Sequence, residues 1–311
     1  MQREEIHHIS RHSNLKKEAL AKALEEHVYS DKKAWKKFLN VFILSLGIGF
    51  TVAGVIFFFA YNWADLHKFV KLGLVEGILL LTMIPVLLRR IDVKTRKSIL
   101  TGVSVLVGVL FAVYGQIYQT GANAYDFFLV WTVFITLWVI IADFAALWLL
   151  YLVLINVTFI LYTQQVAPDW STLTICLILF VAHLLIRITT GFLKNNSIPH
   201  WFNKVVSLAA VSYATIGMVS GIFGLYDPLI FGLLLIIAIS YVMGVRYGVQ
   251  SKSVFYVSII SFSILIIISA LLLELSDQEA MFLMVSLFIV FGVLFTVKHM
   301  IDLQKKWANE K

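Results

Sequence analysis

The stretch IFFFAYNWADLHKFVKLGLVEGILLL, Ile56 to Leu81, decides what kind of molecule this is. Two apolar runs flank a short insert that carries Asn62, Trp63, Asp65, His67 and Lys68. A glutamate, Glu76, follows inside the second run. An apolar run of about 20 residues is the length that crosses a bilayer as a helix. Two such runs around a brief polar insert read as a helical hairpin threaded through a membrane. Either the insert and Glu76 form a working site, or they form a turn and a helix contact.

Composition extends this reading to the whole chain. Of 311 residues, 60% are hydrophobic and only 14% are charged, and the mean hydropathy is +0.89. Soluble domains carry about 25% charged residues, so most of this chain is solvated by lipid. The one cysteine, Cys176, lies in an apolar run and reads as a small packing residue. It excludes an internal disulfide and a cysteine-based metal site. The first 40 residues are charged throughout, unlike the short basic start and apolar core of a cleaved signal peptide. The first apolar run is therefore expected to remain as a membrane helix.

Ten spans are expected, at 41–61, 69–88, 98–118, 127–142, 144–162, 170–188, 203–223, 228–245, 253–273 and 280–298. The pair at 127–162 is the delicate one. A single helix there would be roughly 54 Å long at 1.5 Å per residue, too long for a bilayer core. A tight hairpin near Asp143 fits better. Lysine and arginine test this count. With the N-terminus in the cytoplasm, every one of the 25 except Lys68 and Lys71 falls in an inner segment. That asymmetry supports an inner-membrane, multi-pass protein with both termini cytoplasmic. It also accounts for the charge of +7 without nucleic acid as a partner.

The cytoplasmic N-terminal segment, 1–40, is expected to hold short amphipathic helices. Residues 14–29 place Leu15, Ala19, Leu20, Ala23, Leu24 and Val28 on one stripe at helical spacing. A second helix is expected to start after Ser30 or Asp31, both suited to an N-cap, and to run into the first span. This segment reads either as a docking module for a protein partner or as a solvated lead-in whose lysines sit by anionic lipid.

Small residues mark where membrane helices approach closely. The seventh span carries Ala210, Ala214, Gly217, Gly221 and Gly224. The third carries Thr101, Ser104, Gly108, Ala112 and Gly115, and the first carries Gly47, Thr51 and Gly54. All three spans are expected at the centre of the bundle.

Two polar motifs fall at outer ends of spans. One closes the first span with Asn62 and Asp65. The other is YGQIYQTGANAYDFFLVW, Tyr114 to Trp131. Together with Glu76 they supply the candidate ligand-binding set Asn62, Asp65, Glu76, Gln116, Tyr118, Gln119, Asn123 and Asp126, an outward-facing polar pocket. Structural readings compete with this. Asn ends helices well, Trp and Tyr belong to the interfacial belt, and Gly-Ala-Asn is ordinary turn chemistry. Gln116 and Gln119 are harder to dismiss, because an unpaired amide in lipid costs several kcal/mol. Glu76 is the sharpest residue. An ionisable group within a span is by default a functional hypothesis. The competing reading is a carboxyl group hydrogen-bonded between helices, with Gly73 and Gly77 admitting another backbone nearby.

Elsewhere, His183 is expected to hydrogen-bond within the bundle and Arg187 to snorkel to the interface. Asn156 reads as an interhelical hydrogen-bonding residue, and Asp143 as a turn residue. No HExxH, phosphate-binding loop or GxSxG elbow is present. No catalytic residue, metal or cofactor is assigned, and the chain does not read as an enzyme.

The segments GVIFFFAYNWADLHKFVKLGLVEG and YGQIYQTGANAYDFFLVWTVF resemble the predicted bacterial membrane proteins of domain of unknown function 2157. The matching positions are Ala60, Asn62 and Trp63, then Gln116, Tyr118, Gln119, Thr120, Gly121, Ala122, Ala124, Tyr125, Phe128 and Trp131. The likeness covers roughly residues 14–162. It implies a bacterial inner-membrane protein in which the two motifs belong to one unit, and it carries over no activity and no catalytic residue.

The expected fold is therefore an all-α polytopic helix bundle. The expected organisation is a helical segment 1–40, a family-like membrane unit 41–162, a second membrane unit 163–300 and a tail 301–311. The expected function is small-molecule or ion transport, or ligand sensing, through the outer pocket. Its competitor is a non-transporting assembly or regulatory protein that acts through the N-terminal helices.

Overall fold

The computed structural model describes residues 18–19, 32–62, 66–88, 90–119, 121–192, 198–224, 228–275 and 279–309. The expected helix over 14–29 lies outside these residues apart from Glu18 and Ala19. Ten long helices follow: α1 (Lys32–Asn62), α2 (Lys68–Leu87), α3 (Val93–Tyr118), α4 (Ala124–Ala142), α5 (Ala145–Gln165), α6 (Thr172–Phe192), α7 (His200–Phe223), α8 (Leu229–Gln250), α9 (Val254–Glu274) and α10 (Glu279–Asn309). Each is long and apolar enough to cross a bilayer, and each covers one expected span to within two residues at either end. A spanning segment must satisfy its backbone within itself, which a helix does.

The doubtful hairpin is resolved at Asp143. This residue ends α4 in the left-handed conformation, with φ 40° and ψ 63°, and its N–H donates to Val139 O at 3.1 Å. Asp is among the residues that tolerate this conformation. The turn is braced by the Trp148 indole N–H, which donates to Asp143 Oδ1 at 3.3 Å. Along the hairpin the Thr136 and Tyr151 hydroxyls lie 3.0 Å apart. As expected, α1 starts at the lysines after Asp31 and runs unbroken into its span. At the far end, α10 runs on to Asn309, so the expected tail is helical through most of its length.

The helices pack as two compact units, Met1–Thr120 and Gly121–Lys311. In the N-terminal unit, α3 is the shared partner of α1 and α2. Its buried face includes Gly102, Val103, Ser104, Leu106, Val107, Gly108 and Val113. A Cβ at Gly102 would come 2.9 Å from Ile48 of α1. Val75 of α2 and Val113 of α3 anchor a cluster with Val55, Leu72, Val109, Leu110 and Ile117. Ile48 meets Gly102, and Val55, further along α1, joins the cluster around Val113, further along α3, so the two helices run in the same direction. Asp92 starts α3 by accepting N–H bonds from Lys94 and Thr95 at 3.0 and 3.4 Å.

In the C-terminal unit, α7 packs against α5, α6, α8 and α9. The reason is its small stripe. Ala210, Ala214, Gly217 and Gly221 are buried, and a Cβ at Gly217 would sit 3.0 Å from Cys176 Cβ and 3.1 Å from Leu233 Cδ2. A polar clamp adds to the packing. The Ser263 hydroxyl of α9 meets Thr215 of α7 at 2.6 Å and the Tyr241 hydroxyl of α8. Helix α10 packs along α9.

The third and seventh spans are thus central, each in its own unit. The first is not. None of the spanning window of α1 is buried, and nothing lies within 4 Å of a Cβ built at Gly47 or Gly54. Thr51 spends its hydroxyl on Gly47 O within the same helix, at 2.7 Å. Helix α1 meets α3 through Ile48 and Val55, a β-branched face, and the small residues look the other way.

Candidate functional site

Glu76 lies eight residues past the start of α2, roughly 12 Å along it at 1.5 Å per residue. Val75 beside it is 1% exposed and packs against α3, and the helical turn carries Glu76 to the exposed side. Among the described residues no hydrogen bond or ion pair reaches its carboxylate. The expected close approach of another backbone at Gly73 and Gly77 is also missing there, since nothing lies within 4 Å of a Cβ at either. Among the described residues Glu76 is therefore no bridge between helices of its own unit. It stands on an open face beside two residues without side-chain bulk.

At the end of α3, Gln116, Tyr118 and Gln119 are all exposed. The Tyr114 and Tyr118 rings lie 4.6 Å apart. Gln119 terminates the helix in the left-handed conformation, with φ 43° and ψ 51°. Glycine or asparagine is the usual residue for that role, and a glutamine holds it at a cost on the order of 1 kcal/mol. Since α1 and α3 run in the same direction, Asn62 at the end of α1 lies at the same end of this unit as Gln116. The Asn62 side chain and all of Asp65 lie outside the described residues.

Asn123 and Asp126 have structural work. They form a capping box at the start of α4, with the Asn123 N–H donating to Asp126 Oδ2 at 3.1 Å. The next free amide of this turn, the Tyr125 N–H, donates to Gln165 Oε1 of α5 at 3.0 Å. The six candidates whose side chains are described thus fall in two units. Glu76, Gln116, Tyr118 and Gln119 are exposed side chains of the N-terminal unit. Asn123 and Asp126 cap a helix of the other.

Three further expectations meet in the C-terminal unit. His183 and Asn156 pair with each other, Nε2 to Nδ2 at 3.4 Å. The Asn156 amide also donates to Leu152 O at 2.6 Å, and His183 Nδ1 lies 2.8 Å from Leu179 O. Asn156 Oδ1 is buried without a partner. Arg187 reaches aromatic rings of the neighbouring helices. Its guanidinium lies over the Tyr247 ring at 4.7 Å and 5.8 Å from the Tyr256 ring centre, because aromatic faces on α8 and α9 hold a cation better than bare hydrocarbon does. Sequence reasoning missed the Thr215–Ser263–Tyr241 clamp. Each of the three looks ordinary alone, and only the packing of α7, α8 and α9 brings them together. Among the described residues no group of three or more His, Cys, Asp or Glu side chains is placed to hold a metal ion.

No curated protein and no solved structure matches the chain. A family model does, described as "Predicted membrane protein (DUF2157)", over residues 11–148. The match takes in α1 to α4, the turn at Asp143 and both polar motifs. Residues 11–148 are thus similar to the DUF2157 family of predicted membrane proteins.

Proposed function

We propose that the protein transports or senses an ion or small polar molecule at a site around Glu76 and the polar end of α3. The observation that carries this reading is the exposure of Glu76 on a membrane-spanning helix. A carboxylate facing hydrocarbon is costly, and such residues face a water-filled cavity or a polar partner. The open surface at Gly73 and Gly77 leaves room for either. Gln116 supplies an exposed amide at the end of α3, and Gln119 a strained backbone of the kind that clusters at ligand sites. The basic-residue asymmetry supports an inner-membrane setting with both termini in the cytoplasm, which puts this site on the outer side.

The test is thermal unfolding of the purified protein in detergent against a panel of ions and metabolites. Binding to the folded state alone raises apparent stability by mass action. A ligand-dependent rise lost in Glu76→Gln and Gln116→Ala, with both variants folded, supports the site. A rise that both variants retain in full removes these residues from it.

A second reading is favoured by the start of α1. Trp35, Phe38 and Phe42 stack in succession at 5.3 and 5.8 Å on an exposed face, next to Lys32, Lys33, Lys36 and Lys37. An aromatic and basic face of this kind suits an assembly or regulatory protein that engages a partner through its N-terminal helices. It predicts a partner that co-purifies with the full chain and is lost when residues 1–36 are removed.

A further inference from the structure

At one end of the C-terminal unit, α6 and α8 finish and α7 and α9 start. Arg187, near the end of α6, holds its guanidinium 4.7 Å from the Tyr247 ring centre on α8 and 5.8 Å from the Tyr256 ring centre on α9. Lys204, in the second turn of α7, holds its ammonium 5.5 Å from the ring centre of Phe255, the neighbour of Tyr256 in α9. Two cations from two helices thus converge on adjacent rings of a third. Among the described residues no carboxylate pairs with either of them.

The frame around them is tied together. The Thr190 hydroxyl of α6 donates to Asn203 Oδ1 of α7 at 2.9 Å. Tyr256 meets Tyr247 and Phe255 edge to face, with ring centres 5.1 and 5.4 Å away. A Cβ at Gly248 would come 2.9 Å from Val257, so α8 and α9 are in close contact here. Both cations are therefore held in place before any ligand arrives.

A ring face attracts a cation but carries no net charge, so both charges remain. Like charges held near one another repel, and a single anion shared by them removes that cost. The type of anion follows from the donors. Stacking uses the flat face of a guanidinium and leaves its N–H groups in the plane, the arrangement that grips an oxyanion through two parallel bonds. The Tyr256 hydroxyl takes a hydrogen bond from Arg187, one of five donors on that side chain. A carboxylate has two oxygens, and the fork takes both. A phosphate group keeps another for the Lys204 ammonium.

We propose that Arg187 and Lys204 form a site for a phosphate group, with Tyr247, Tyr256 and Phe255 as the platform that holds the two cations. The site lies outside residues 11–148 and does not depend on the role given to Glu76, which belongs to the other unit. The same chemistry fits the headgroup of an anionic phospholipid and a free phosphate.

The test uses the full chain in a neutral detergent at fixed ionic strength. The probes are dioctanoylphosphatidylglycerol, dioctanoylphosphatidylcholine and inorganic phosphate, with chloride as the balancing ion. Phosphatidylcholine carries its phosphate beside its own ammonium, which the two cations repel. Phosphatidylglycerol should bind saturably and about tenfold or more tighter than phosphatidylcholine. Arg187→Gln and Lys204→Gln should each weaken it about tenfold. Lys204 is exposed, so its variant keeps the fold even where the loss of stacking unsettles Arg187→Gln. Lys94→Gln, which removes the same charge from the other unit, should leave the affinity unchanged. Inorganic phosphate separates the sources. Displacement of phosphatidylglycerol by phosphate assigns the site to a free phosphate, and no displacement assigns it to a lipid headgroup. A phosphatidylglycerol affinity no higher than that of phosphatidylcholine, one that both site variants keep in full, or one that Lys94→Gln lowers equally overturns the proposal.

Discussion

Val75 and Glu76 are adjacent in sequence and differ in environment: Val75 is sealed against Val113 of α3, and Glu76 stands on the exposed side of α2. The pair separates stability from function. Val75→Ala removes packed side-chain volume and should destabilise the protein by on the order of 1 kcal/mol. Glu76→Gln removes a charge that no helix contact uses, so the folded protein should be at least as stable. The check is the midpoint of thermal unfolding of both variants in one detergent. A large loss of stability in Glu76→Gln would show that the carboxylate has a structural partner and would sink the site built on it.

The glycines of α7 and α1 should respond in opposite directions. A Cβ at Gly217 meets Cys176 and Leu233 at 3.0 and 3.1 Å, inside ordinary contact distance. Gly217→Ala should therefore cost about 1–3 kcal/mol by overpacking. Nothing lies within 4 Å of a Cβ at Gly47, and alanine is the better helix former by up to about 1 kcal/mol. Gly47→Ala should be neutral or stabilising. Equal destabilisation in the two variants would mean that the open face of α1 is covered in the assembled protein.

Much of the fold was legible in the sequence, and the gaps have a common physical origin. Ten spans could be counted because hydropathy and length act locally. The hairpin at Asp143 could be placed because an unbroken helix over 127–162 would outrun the bilayer. The stripe on α7 marked a centre because another helix does come down on it. The stripe on α1 looked the same, but small residues only permit close approach, and α1 meets α3 through Ile48 and Val55 instead. Asn123 and Asp126 carried a cap signature three residues apart, which a ligand reading overlooked. The Ser263 clamp depends on which helices become neighbours, and no window along one helix contains that information.

The Ser263 clamp itself can be weighed. One hydroxyl on α9 serves Thr215 of α7 and Tyr241 of α8. Interhelical hydrogen bonds in membranes contribute about 0.6 kcal/mol on average, with a maximum of about 1.7. Ser263→Ala breaks both contacts and should cost about 1–3 kcal/mol on that scale. Once Ser263 is gone, Tyr241→Phe should cost less than it does in the native background, because the partner it would lose is already absent. Fully additive losses in the double variant would show that the two hydroxyls find other partners and that Ser263 joins nothing.

Gln119 allows strain and ligand binding to be read from one position. Its backbone is left-handed, with φ 43°, where glycine has no penalty from a Cβ. Gln119→Gly relieves that strain in the folded state but also loosens the unfolded chain. The net gain should be a few tenths of a kcal/mol up to about 1 kcal/mol. If the glutamine amide contacts a ligand at the end of α3, the same variant should lose ligand-dependent stabilisation while its unliganded form unfolds at a higher temperature. Those opposite shifts would mark a residue kept for binding at the expense of stability. A variant that unfolds at a higher temperature and keeps its whole ligand response would place Gln119 outside the site and leave Glu76 and Gln116 to carry it.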